Sequence, residues 1–145
     1  MSSPVVSRRA SGIGRVLVAV YAVLAIGASG RSVFQIIDRF SEAPVAFSLS
    51  AVSAAVYIVA TLALALGWDR LAWATICFEL AGVLIIGTVT LLAPGLLGLH
   101  DANPFGRDAT VWTAYGAGYL LIPLVLPVLG LLWLRRRAAA AEARS

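Results

Sequence analysis

Four stretches of this chain are each about 20 residues long and nearly free of charge, the length at which an α-helix crosses the roughly 30 Å hydrocarbon core of a bilayer. They run from Val16 to about Ile37, from Val45 to Leu66, from Leu71 to Leu92 and from about Tyr115 to Leu134. Ser41, Glu42 and Pro44 break the pattern after the first, Gly67, Asp69 and Arg70 after the second, and Pro94 through Thr113 after the third. A water-soluble core holding this much hydrocarbon would need more polar surface than seven acids and eleven arginines supply, since only 12% of the 145 residues are charged. Lipid offers no hydrogen bonds to the backbone, and the runs are too long for barrel strands, so each must be helical. The expected fold class is an all-α membrane protein: a four-transmembrane-helix bundle, preceded by segment 1–15 and followed by a basic tail, 135–145.

The arginines set a direction. All eleven basic residues are Arg and the net charge is +4; the basic clusters flank the spans instead of forming a basic face with interleaved aromatics, so nucleic acid is not an expected partner. With both termini in the cytoplasm, Arg8, Arg9, Arg15, Arg70, Arg135, Arg136, Arg137 and Arg144 lie inside, and only Arg39 and Arg107 lie in outer loops. The expected location is thus the cytoplasmic membrane, multi-pass. Arg8, Arg9 and Arg15 followed by an apolar core and the small residues Gly27 to Gly30 also resemble a signal peptide, but hydrophobicity resumes at Val33, giving a length that spans. In the third loop, Asn103 to Gly106 reads as a turn and Asp108 as the cap of a helix starting at Ala109. Trp112 and Tyr115 fall where an outer aromatic belt would lie, and Trp68, Trp73 and Trp133 where an inner one would.

Ionisable groups inside a span cost about 2.5 to 3.5 kcal/mol each at its centre, which singles out Arg31 and Glu79. On the first span Leu24, Gly27, Arg31, Gln35 and Asp38 share a stripe; on the second, Ser50, Ser53, Tyr57 and Thr61; on the third, Glu79 with Thr75, Gly82, Ile86 and Thr90. Three such stripes are best buried against one another, with Gly27, Ala54 and Gly82 permitting close approach. The fourth span adds Pro123 and Pro127, one turn apart, which free backbone carbonyls and kink it. The candidate buried polar network is therefore Arg31, Gln35, Asp38, Ser53, Tyr57 and Glu79. Two uses fit it. In one it is helix glue, with Arg31 neutralised by Asp38, Glu42 or another outer acid and Glu79 protonated or hydrogen-bonded to Tyr57. In the other it is a proton or substrate path with Glu79 as the titrating group. A direct Arg31–Glu79 ion pair is a third arrangement, requiring extended side chains or a tilted helix.

Several motifs fail on their chemistry. Gly27-Ala28-Ser29-Gly30 spells the Gly-x-Ser-Gly string around the nucleophile of rhomboid proteases, but a serine needs a base in reach, and the single histidine, His100, is in an outer loop. His100 with Asp101 is too small a donor set for a zinc site, and the lone Cys77 forms neither an intrachain disulfide nor a Cys-x-x-Cys site. Gly12-x-Gly14 and Gly116-x-Gly118 follow no strand and carry no nucleotide meaning. No cofactor or metal is expected.

Gly30-Arg31-Ser32 with Gln35, Glu42-Ala43-Pro44 with Phe47, Leu49 and Ser50, then Tyr57, Glu79, Asp108-Ala109-Thr110-Val111-Trp112, Gly116, Gly118-Tyr119 and Pro123 through Pro127 form an ordered set. In it the chain resembles uncharacterised four-span integral membrane proteins of high-GC Gram-positive bacteria, from Arg15 to Arg137. The resemblance implies the span count and brings no reaction, cofactor or site residue with it. The functional expectation is a non-catalytic accessory or stabilising subunit of a larger membrane assembly, with the bilayer and either a membrane-protein partner or further copies of itself as partners. The alternative is a small transporter or proton-coupled carrier using the Arg31, Gln35, Tyr57 and Glu79 interior, and an enzyme of lipid or cell-envelope precursors ranks third.

Overall fold

A computed structural model describes residues 12–100, 103, 105, 106 and 108–144. The sequence expectations at Ser7, Arg8, Arg9, Asp101, Pro104 and Arg107 lie outside the described residues. Among those described there is no strand, and the architecture is helical throughout. Helix α1 is Gly12–Arg39, α2 Pro44–Leu66, α3 Asp69–Leu92 and α4 Ile122–Arg144. Short 3-10 turns lie at Phe40–Glu42 and Pro94–Leu97, and a longer, irregular one at Thr113–Tyr119.

The element ends follow from local chemistry. Pro44 opens α2, where its missing N–H is an orphan anyway. Gly67 closes the same helix in the left-handed region at φ 75°, which a residue without Cβ enters at no steric cost. Its N–H and that of Trp68 both return to the Ala63 carbonyl. Asp69 then stands in the first turn of α3, beside the positive end of the helix dipole.

The first three helices are each long and apolar enough to cross a membrane. α1 packs along α2, α2 on α3, and α3 on α4. The fourth expected span is different. Apolar residues of α4 run only from Ile122 to Leu134, about 20 Å of helix, short of a bilayer core. The residues before it, Thr113–Tyr119, turn away by 96°, and only the bent pair together meets the length and hydropathy of a span. An unbroken helix over 115–134 is therefore corrected. The break sits at Ala114, Tyr115 and Gly116 and again at Leu120 and Leu121, all at positive φ. Pro123 lies in the first turn of α4, where it starts a helix instead of kinking one.

The two ends of the bundle are chemically distinct. At one, Arg137 of α4 pairs with Asp69 at 3.5 Å and lies over the Trp133 ring at 5.4 Å. At the other, Arg39 pairs with Glu42 and, at 3.1 Å, with Asp108. Asp108 thus holds the loop to the end of α1 and does not cap a helix at Ala109, which lies in a loop.

Candidate functional site

The segment 109–121 enters the arginine-39 end of the bundle and fills the space left by the short α4. Two glycines on α3 make room for it. A Cβ on Gly82 would stand 2.7 Å from the Trp112 ring, and one on Gly87 would collide with the Tyr115 ring. Thr90 accepts the Ala114 N–H at 2.9 Å while its own hydroxyl returns to the Gly87 carbonyl, and the Thr88 and Tyr115 hydroxyls meet at 2.8 Å. One N–H of the irregular backbone is thereby satisfied by a side chain of α3.

Deeper in the bundle lies the polar centre. The Tyr21 hydroxyl of α1 donates to Glu79 Oε2 of α3 at 2.7 Å, and the Trp112 indole N–H donates to the Tyr57 hydroxyl of α2 at 2.9 Å. The Tyr21 and Tyr57 rings stand 6.2 Å apart, and those of Tyr57 and Trp112 6.5 Å apart at a steep angle, so α1, α2 and the segment before α4 each place one ring in an aromatic cluster to which α3 adds Glu79. Glu79, Tyr21 and Tyr57 are 0% exposed and Trp112 is 1% exposed. Glu79 Oε1 has no hydrogen-bond partner among the described residues. Nearby, Ser53 donates back to the Ser50 carbonyl at 2.7 Å, and Thr61 to that of Tyr57 at 2.6 Å, so these hydroxyls serve their own helix.

A second cluster sits closer to the Arg39 end. Arg31 and Gln35 both donate to the Ala109 carbonyl, at 3.0 and 2.9 Å, and the Arg31 guanidinium lies 5.6 Å from the centre of the Tyr119 ring. The six sequence candidates thus divide. Glu79 and Tyr57 belong to the deep centre and Ser53 lines it one turn away; Arg31 and Gln35 form the upper cluster; Asp38 is exposed and joins neither.

Three expectations are corrected. Arg31 pairs with neither Asp38 nor Glu79 but grips a backbone carbonyl; it stands ten residues, about 15 Å of helix, beyond the tyrosine that holds Glu79. Glu79 is bonded by Tyr21 and not by Tyr57, whose hydroxyl is taken by Trp112. Trp112 belongs to the core and not to an interfacial belt. Tyr21 was within reach of the sequence, because it lies three residues before Leu24 on the stripe that carries Gly27, Arg31 and Gln35. The carbonyl of Ala109 had no signal at all.

No family model, curated protein or solved structure matches the chain. Its chemistry must be read from the site. Among the described residues no three or more His, Cys, Asp or Glu side chains converge as a metal-binding group. The centre offers one carboxyl and two phenols, which can exchange protons, and an indole N–H, which can only donate.

Proposed function

We propose that this chain is a non-catalytic integral membrane protein, an accessory or stabilising subunit of a larger membrane assembly. In this reading it lies in the cytoplasmic membrane with four spans, the bent segment and α4 together making the fourth, and both termini cytoplasmic. The likeness to four-span proteins of high-GC Gram-positive bacteria belongs to the same proposal. Support for the orientation is the gathering of Arg70, Arg135, Arg136 and Arg137 near the end marked by the Asp69–Arg137 pair.

One observation carries the functional reading: the polar groups inside the bundle bond to one another across it, with Glu79 and Tyr57 wholly shielded. Interhelical bonds of this kind specify packing, at about 0.6 kcal/mol each on average. A carrier would instead need water or substrate to reach its charged residue. Purification from native membranes in mild detergent, with mass spectrometry of the intact complex, tests the proposal. A fixed ratio of this chain to another membrane protein is expected; a lone chain or a pure homo-oligomer would contradict it.

The carrier reading has one observation in its favour, the Glu79 Oε1 atom without a partner beside a broken span. The Glu79→Gln variant separates the two. It keeps the Tyr21 bond through its side-chain carbonyl and leaves a packing role intact, but it abolishes transport that depends on the carboxyl.

A further inference from the structure

At the end of the bundle away from Arg39, α1 and α4 leave between them a groove of about 540 Å³. Its walls are Ile13 and Val16 from α1 and Leu129, Leu132 and Trp133 from α4, and Arg136 stands in its lining. The four aliphatic side chains are all substantially exposed. Leu129, Leu132 and Trp133 follow helical spacing, and Arg136 is the next residue on that stripe, so an apolar track ends in a guanidinium.

We propose that this groove binds one anionic phospholipid, its acyl chain along the aliphatic walls and its phosphate against Arg136. Charge selects the occupant. Arg137 is committed to Asp69, whereas Arg136, rotated by 100° around the helix, faces the groove. Depth agrees too. Leu129 and Arg136 are seven residues apart, about 10 Å of helix, which fits inside the roughly 15 Å that one leaflet contributes to the core. A second copy of the chain related by a two-fold axis would bring one Arg136 toward another, so like charges disfavour that occupant. The site needs only a helical protein in a bilayer and does not depend on which side this end faces or on the accessory role.

The test uses the full chain, stripped of lipid in detergent and titrated with phosphatidylglycerol or phosphatidylcholine of identical acyl chains, with bound lipid counted by native mass spectrometry. Phosphatidylglycerol should bind about fivefold more tightly, the factor that one arginine supplies near an anionic headgroup. Arg136→Gln should bring it down to the phosphatidylcholine level, Arg135→Gln should leave the preference in place, and Leu132→Trp should weaken both lipids by filling the groove. Equal affinity for the two lipids in the unaltered chain would overturn the proposal. So would equal losses in Arg135→Gln and Arg136→Gln, which mark diffuse charge, and so would a dimer in the absence of lipid that Leu132→Trp dissociates, which puts a second copy in the groove.

Discussion

The Trp112 indole N–H donates to the Tyr57 hydroxyl at 2.9 Å, which fastens the segment before α4 to the middle of α2. The same ring lies against Gly82 of α3, so one side chain ties together two helices and the irregular backbone before α4. Removing the bond and removing the ring should have different costs. Trp112→Phe loses the N–H and should destabilise the protein by about 1 kcal/mol, whereas Trp112→Ala leaves a cavity and should cost about 3 to 5 kcal/mol. Thermal unfolding in detergent measures both. In a cycle with Tyr57→Phe, the Trp112→Phe loss should shrink, because the partner hydroxyl is already gone.

The glycines of α3 make a sharper case. Alanine normally favours a helix over glycine by up to about 1 kcal/mol, so Gly→Ala in an exposed helical position should stabilise. Gly30 has nothing within 4 Å of a built Cβ and should behave that way. Gly82→Ala and Gly87→Ala should do the reverse, since the new methyl meets the rings of Trp112 and Tyr115. If all three variants melt at or above the temperature of the unaltered chain, Trp112 and Tyr115 do not pack on Gly82 and Gly87.

Arg31 and Gln35 share one acceptor, the Ala109 carbonyl. Either alone should therefore protect it, and the double change Arg31→Ala with Gln35→Ala should cost more than the sum of the two single losses, because only the double variant leaves a buried carbonyl bare. Arg31→Ala and Asp38→Ala should add without coupling, since Asp38 is exposed and bonded to neither. Strong coupling between Arg31 and Asp38 in unfolding measurements would restore the ion pair expected from their shared stripe.

How much of this was open to reading follows from range. The uninterrupted spans could be read because apolar length is a local property: expected limits at Val45 to Leu66 and Leu71 to Leu92 meet helices at Pro44–Leu66 and Asp69–Leu92. Glu79 and Tyr57 stood out because charge and polarity inside an apolar run are visible one residue at a time. The fourth span misled for the same reason. Its composition is apolar from Tyr115 onward, yet whether the backbone there is helical depends on Gly82, Gly87 and Thr90, which lie on another helix. Trp112 looked interfacial because its distance from a span end was all the sequence could show; its burial depends on Tyr57, 55 residues away. Pro123 carried a usable signal that was assigned to the wrong effect, a kink in place of a helix start.

Orientation is testable by labelling. In a Cys77→Ala background, cysteines introduced by Ser7→Cys and Ala141→Cys should resist an impermeant thiol reagent in intact cells, and Asn103→Cys should react. Labelling at the termini but not at Asn103 would invert the proposed topology while leaving the helix packing untouched.

The shielded interior bears most directly on the function. Ser53 is wholly buried on α2, one helical turn from Tyr57, and serine to cysteine is nearly isosteric, so Ser53→Cys in the Cys77→Ala background reports on water inside the bundle near the polar centre with little disturbance. A thiol reacts with maleimide only as thiolate, which requires water or a cation beside it. In native membranes, with Asn103→Cys as the exposed reference, a small membrane-permeant maleimide should leave Ser53→Cys unmodified over a time in which the reference reacts to completion. Modification of Ser53→Cys at a rate approaching that of the reference would mean that water enters the bundle as far as Ser53, one turn from Tyr57, and the closed, non-catalytic account would fail in favour of a carrier.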